Sequence, residues 1–229
     1  MQEGYLGKAV VCDSSSLIAL AESCLFGVIE LLGESLPGGF FVSERVKREC
    51  IDTPMRMRSH ELTAVRLKDA MNRGVIKLSA AGSEGELNSI LWAANNIFYV
   101  KGKPLSIIHS GEADMIAAAK IMGTNNILID ERTTRMLVEA PEKLRDHLER
   151  EFMRSVHVNE EYLLRFEKMT KELVIIRSSE LVMVAYERGY FRRYGSLEKK
   201  AVEASLYGLK FNGCGISFSE IDEFCNTIK

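Results

Sequence analysis

The stretch KAVVCDSSSLIALAES (Lys8–Ser23) decides the fold. Lys8–Cys12 reads as a short strand, Asp13 follows it directly, and three serines lead into an apolar run from Leu17 to Leu32. Within that run Leu17, Leu20, Ala21 and Cys24 recur at helical spacing, and a break is expected near Gly27. A strand that ends on an acid and turns into an apolar helix is the opening unit of a parallel α/β sheet.

Outward from that unit the alternation continues. Pro37-Gly38-Gly39 is a turn and Phe40–Val42 a second strand; Ser43 caps a helix running through Val46 and Cys50 towards a stop at Thr53-Pro54. A helix is expected from about Ser59 to Asn72 and a strand over Val75–Leu78. Ser83 and Glu86 form a capping box for a helix through Leu91 and Ala94. Ser110 caps the segment GEADMIAAAKIM, which stops at Gly123, and Asn126–Ile129 follows as a strand. Thr133–Glu149 reads as mostly helical despite Pro141, and Leu173–Ile176 is the last strand. Three helices close the chain: Ser179–Arg188 ended by Gly189, Leu197–Leu209, and Ile216–Ile228 with a capping box of Ser217 and Glu220. The expectation is an α/β fold with a central parallel sheet flanked by helices. Residues 1–178 form its core with helical insertions, and residues 179–229 a C-terminal helical extension.

Composition narrows the class. The 229 residues fit one large domain or a domain with an appendage, at about 150 residues per domain. With 46% hydrophobic and 27% charged residues the chain is neither fibrous nor disordered. No stretch approaches the roughly 18 uncharged apolar residues of a membrane span. Met1–Val11 carries Glu3 and Lys8 and lacks an apolar signal core. Five cysteines, without a CxxC pair, argue against a disulfide framework or zinc ribbon and for buried thiols in a reducing compartment, hence a cytoplasmic protein away from membranes. A net charge of −2 excludes a strongly cationic coat for nucleic acid. Two stripes remain basic: Arg56–Arg73 has five cations against Glu61 and Asp69, and Arg188–Lys200 has five against Glu198. Each is either a solvated helical face or a row of phosphate contacts.

The chemistry sits with acids. In open parallel sheets ligands bind beyond the carboxyl ends of the strands. Asp13 and Asp130 directly follow strands there, Glu131 comes next, Glu49 lies in the helix after the second strand, and Glu112 and Asp114 open the Ser110 helix. An Asp after a strand also serves as a plain helix cap, and Glu112 also suits the positive end of a helix dipole. Asp114 is harder to dismiss, because its helix is apolar nearly all round and a buried carboxylate needs a partner. Glu112 and Asp114 are about 200° apart around a helix, so regular geometry does not aim both at one ion. Carboxylates without His or Cys ligands select Mg²⁺ or Mn²⁺, ions that act on phosphates, and phosphodiester hydrolysis is the reaction they suit.

Other chemistries lack their motifs. There is no GxxxxGK[ST], no GxGxxG after a strand and no GxSxG, and Asp13-Ser14-Ser15 lacks the second Asp of an aspartyl-phosphate phosphatase. His60, His109, His147 and His157 show no metal-ligand spacing and read as surface or structural, with His109 abutting the acidic helix. Trp92, beside Leu91 and Phe98, reads as core rather than as a platform for bases.

Five segments together resemble one family: VVCDSSSLIALAES (Val10–Ser23), VSERVKRE (Val42–Glu49), GEADMIAAAKIMGTNNILIDERTTRML (Gly111–Leu137), ELVMVAYERGYF (Glu180–Phe191) and LKFNGCGISFSEID (Leu209–Asp222). They are similar to the PIN domain nucleases, and among these to the longer prokaryotic, mainly archaeal, PIN-like proteins. The resemblance implies that Asp13, Glu49, Asp114 and Asp130 are the catalytic, metal-binding acids, with Glu112 a further ligand beside the third and Ser15 the polar neighbour of the first. It implies a metal-dependent endoribonuclease acting on single-stranded RNA with Mg²⁺ or Mn²⁺, often dimeric, and often the toxin of a toxin–antitoxin pair. The stretch between Glu49 and Ser110, and Pro141–Lys171, exceed a minimal toxin and leave room for RNA processing or work with a ribosome-associated protein. Ser15, Arg56, Arg58 and Arg132 are candidate substrate contacts; salt bridges to Glu131 or Glu139 account equally well for Arg132 and Arg135. The rival expectation is a catalytically weak PIN-like module that holds RNA or a protein partner as a scaffold.

Overall fold

A computed structural model describes residues 9–36 and 38–228. Five short strands, β1 (Val10–Cys12), β2 (Phe40–Val42), β3 (Ile76–Leu78), β6 (Asn126–Leu128) and β8 (Val174–Ile176), form one parallel sheet in the order β3-β2-β1-β6-β8. A smaller antiparallel sheet has the order β5-β4-β7, built from β4 (Phe98–Val100), β5 (Lys103–Pro104) and β7 (His157–Val158). The central sheet with its flanking helices is consistent with a PIN-like α/β fold.

The period of two along each strand sorts the core into two halves. Val10, Cys12 and Leu128 point into one apolar cluster and Val11, Ile127 and Ile129 into the other. The first is covered by α1 (Ser14–Glu22), α2 (Phe26–Ser35), α4 (Glu61–Asn72), α10 (Ser178–Glu187), α11 (Glu198–Phe211) and α12 (Phe218–Thr227). The second is covered by α5 (Glu84–Ala94), α6 (Ser110–Ile121), α7 (Arg132–Glu139), α8 (Pro141–Phe152) and α9 (Glu160–Thr170). Helices on both faces bury the inner strands twice over, which is why they read as unbroken apolar runs. The C-terminal helices belong to the first cluster: Leu181, Val202, Leu206, Leu209 and Ile221 pack with Leu17, Leu20 and Leu32.

Several expected boundaries move. The first apolar run breaks at Ser23–Leu25, not at Gly27; Cys24 takes a left-handed φ of 57° there, and Gly27 lies inside α2. Gly27 is small because an added Cβ would stand 2.5 Å from the Tyr190 hydroxyl. Thr133–Glu149 is two helices, because Ala140 leaves helical geometry (φ −156°) and Pro141 starts α8 at its first position, where the missing N–H costs nothing. The α6 helix is flanked by His109, not capped by Ser110: Glu112 accepts the His109 backbone N–H. Cys12, Cys50 and Cys214 are buried, whereas Cys24 is exposed. Trp92 is not core: it is 58% exposed, and its indole N–H donates to the Tyr162 hydroxyl at 3.1 Å. Among the described residues no single helix is long and apolar enough to cross a membrane.

Candidate active site

The chain passes from β1 outwards to β2 and β3, then returns to β6 on the other side of β1. The order therefore reverses between β1 and β6, which makes their carboxyl ends the switch point at which open parallel sheets bind ligands. Asp13 and Asp130 follow these two strands. The pairing of Cys12 with Leu128, and the Asp13 N–H donated to the Leu128 carbonyl at 2.8 Å, bring them to the same edge.

Asp13 caps α1: its carboxylate accepts the Ser15 N–H at 3.0 Å and the Ser15 hydroxyl at 2.5 Å. It is 5% exposed. Burial pushes its pKa above the ordinary value, the Ser15 and Ser14 hydrogen bonds pull it back in part, and the charge of Asp130 adds to the rise. Ser15 thus fixes the orientation of Asp13.

Glu49 rides on a π-helical turn, Arg48–Asp52, that continues the short helix α3 (Glu44–Lys47) capped by Ser43. The Thr53 N–H reaches back five residues to the Arg48 carbonyl at 2.9 Å, which widens the turn. The Ser14 hydroxyl donates to Glu49 at 3.2 Å. The start of α6 comes close on the other side, and a Cβ on Gly111 would stand 2.9 Å from a Glu49 oxygen. Glu49 lies at an exposed turn, yet desolvation of its hemmed-in carboxylate raises its pKa, helped by repulsion from Asp13 and Asp114.

Glu112 accepts the His109 N–H at 3.0 Å, so it holds the first turn of α6; burial, then the charge of Asp13, raises its pKa. Asp114 is buried, as its apolar helix requires, and finds its partner in Arg45, whose Nε lies 4.0 Å away and which also donates to Glu84 at 2.9 Å. Asp130 is 0% exposed, and Ser178 takes both its oxygens, through N–H at 2.8 Å and hydroxyl at 2.5 Å. Burial raises its pKa against those hydrogen bonds and the nearby Arg177. Ser178 opens α10 and is a site residue that sequence reasoning missed; the serine pair just after the last strand is the signal that marks it.

Asp13 is therefore within electrostatic reach of Asp130, Glu49 and Glu112, and Glu49 of Asp114. Among the described residues no three His, Cys, Asp or Glu stand close enough to enclose an ion directly. The donor set is all carboxylate oxygen, several of its members are held above their ordinary pKa, and that chemistry fits a hard divalent cation which keeps part of its water.

The basic residues divide. Arg66 donates to the Ala21 carbonyl at 2.9 Å, and Arg73 pairs with Asp69 and Glu30, so these two brace helices. Arg135 donates to the Gly215 carbonyl at 3.2 Å and lies 3.7 Å from Glu139, which supports its structural reading. Arg56, Arg58 and Arg132 are exposed. An open cleft of about 600 Å³ beside the Glu49 turn is lined by Arg48, Arg56, Lys68, Thr53 and Asp52.

No family model matches the chain, and no curated protein or solved structure matches it significantly.

The raised carboxyls carry a pH signature. A raised folded-state pKa means that the neutral form is favoured in the fold. The contribution is therefore full below the ordinary values of 3.8 and 4.5 and is lost as pH rises through the raised ones. In EDTA, the Tm difference between Asp13→Asn and the wild type is expected to grow in favour of the variant from about pH 4 to pH 8. A difference independent of pH, followed by thermal melts, would remove the repulsion from the account.

Proposed function

We propose that the protein is a metal-dependent endoribonuclease that hydrolyses phosphodiester bonds in single-stranded RNA. The observation that carries the reading is the gathering of Asp13, Glu49, Glu112 and Asp114, from three separate elements, at the switch-point edge, where burial and repulsion between carboxylates hold Asp13, Glu49 and Glu112 above their ordinary pKa. Mg²⁺ or Mn²⁺, when bound, supplies positive charge for the phosphate oxygens and acidifies a water. Asp13, Glu49 and Asp114 would hold the ion, with Glu112 at its margin. Ser15 keeps Asp13 aimed, and Gly111 lets Glu49 approach α6. Asp130 anchors α10 through Ser178 and adds negative potential behind Asp13. The test is cleavage of a labelled single-stranded RNA in Mg²⁺ or Mn²⁺, lost in EDTA. The role in the cell follows the same reading: RNA processing or a toxin-like nuclease, with an antitoxin-like or ribosome-associated protein, or a second copy, as partner.

A scaffold that binds RNA or protein without cutting is the second reading, favoured by the structural hydrogen bonds that Ser178 makes to each oxygen of the buried Asp130. RNA bound but uncut in every divalent ion would select it.

The cleft beside Glu49 suits the phosphates that flank the cut. Replacing Arg56 and Lys68 by Ala is expected to weaken RNA binding and to lower the salt slope by about 1.4, at about 0.7 for each phosphate contact on a single strand. Binding measured in Ca²⁺ across a salt series checks this, and an unchanged slope assigns both side chains to a solvated face. Arg58 and Arg132 are further contacts to test in the same way.

A further inference from the structure

The corner between α11 and α12 carries two aromatic rings open to solvent and a third, Tyr207, half-buried against the core. Tyr207 and Phe211 lie one turn apart on α11, with rings 6.4 Å apart and nearly parallel at 20°, and Phe218 at the start of α12 joins Tyr207 at 6.1 Å. Phe211 is 76% exposed and Phe218 54%. Apolar side chains of this size left on the surface in one group mark a contact site.

Their position relative to the acids is fixed by the loop between them. The Gly215 N–H donates to the Asp130 backbone carbonyl at 3.2 Å, and the Gly215 carbonyl accepts from Arg135 and Arg177. Phe218 is three residues from Gly215 and Phe211 four. Their backbones thus lie within roughly 15 Å of that contact even at full extension. The loop therefore ties the corner that carries the rings to the Asp130 end of the acidic edge.

Charge decides what they receive. Lys210 sits over the Phe218 ring at 4.3 Å while donating to the Ile216 carbonyl at 2.6 Å. Exposed Arg132, whose Cβ lies 3.7 Å from where a Cβ on Gly215 would stand, is on the same side. On α12 the exposed Asp222 lies one turn beyond Phe218 and repels phosphate, which confines a polyanion to the Lys210 and Arg132 side. Rings with cations along one flank are the chemistry of single-stranded nucleic acid: bases stack on the rings and phosphates follow the cations.

We propose that Phe211 and Phe218, supported by Tyr207, stack bases of the single-stranded RNA next to the acidic edge, so that the C-terminal helices set where the strand lies. This rests on the nuclease reading and names how its substrate is held.

Binding of a fluorescent single-stranded RNA is measured in Ca²⁺ with three proteins: wild type, Phe211→Leu/Phe218→Leu, and Phe211→Tyr/Phe218→Tyr. Leucine keeps apolar area but not a stacking face. The leucine variant is expected to bind roughly 5- to 100-fold more weakly, the tyrosine variant close to wild type, and abasic sites at one or two positions of the RNA to weaken the wild type and the tyrosine variant but not the leucine variant. Equal binding by all three proteins overturns the platform, and so does a wild type that does not bind RNA. Ring-dependent dimerisation in sedimentation, without a change in RNA affinity, overturns it in favour of a contact between copies. Ring-dependent binding without cleavage in Mg²⁺ keeps the platform and removes the nuclease, so the two failures are distinct.

Discussion

Asp13→Asn is expected to abolish cleavage, by at least about 10³-fold or about 4 kcal/mol of barrier, while the protein stays folded. The substitution isolates charge from shape. Asn caps a helix as well as Asp does, so its amide oxygen can still accept the Ser15 N–H that Asp13 accepts at 3.0 Å. What disappears is the negative charge within electrostatic reach of Asp130, Glu49 and Glu112. Without metal that charge is a liability, so the variant is expected to melt at the same temperature as the wild type or above it in EDTA. With Mg²⁺ the wild type should gain and the variant should not, because only the wild type binds the ion to its folded state. Cleavage and melting curves in paired EDTA and Mg²⁺ samples check both halves. A variant that cuts RNA normally ends the metal reading, and one that unfolds makes the charge of Asp13 structural.

The central sheet is legible in the sequence because its inner strands are buried on both faces and its strands are separated by helices, several with their own caps. Ser43, Ser83 and Ser217 each accept the N–H three residues on, where the sequence pattern puts a cap. The antiparallel sheet is not legible. Its strands are two or three residues long, too short for a period, and β7 pairs with β4 from a distant part of the chain. The hairpin between β4 and β5 turns on Lys101 and Gly102, both with positive φ, and Lys-Gly is a weak signal for that turn beside Asn-Gly. Trp92 misleads because neighbours in sequence point different ways on a helix: Ile90 and Ala93 face the core while Trp92 faces out. Among the site residues, positions after strands are readable from order alone. The partners are not. Ser14 on Glu49, Arg45 beside Asp114 and Ser178 on Asp130 are contacts between separate elements, which only the folded arrangement brings together.

Asp130 is where geometry and resemblance pull apart, and a pair of substitutions separates them. Asp130→Ala removes the acceptor of the Ser178 N–H and hydroxyl at a place without solvent, since both residues are 0% exposed. Two buried donors then lack a partner, at an expected cost of about 2–4 kcal/mol. For a chain of this size that lowers Tm by roughly 5–15 °C. Asp130→Asn keeps the shape: its carbonyl still accepts the Ser178 N–H, and its amide donates to a Ser178 hydroxyl that rotates to accept. Its Tm is therefore expected near that of the wild type. Cleavage by the Asn variant then decides whether Asp130 anchors or ligates. A carboxylate that anchors α10 and acts on Asp13 only through its field should, when neutralised, leave cleavage within about 10-fold of the wild type, as expected of one perturbing charge. A loss as deep as that of Asp13→Asn, in a protein with an unchanged melting temperature, would instead place Asp130 on the ion. Ligation would then use the second lone pair that each Asp130 oxygen keeps beside its Ser178 hydrogen bond.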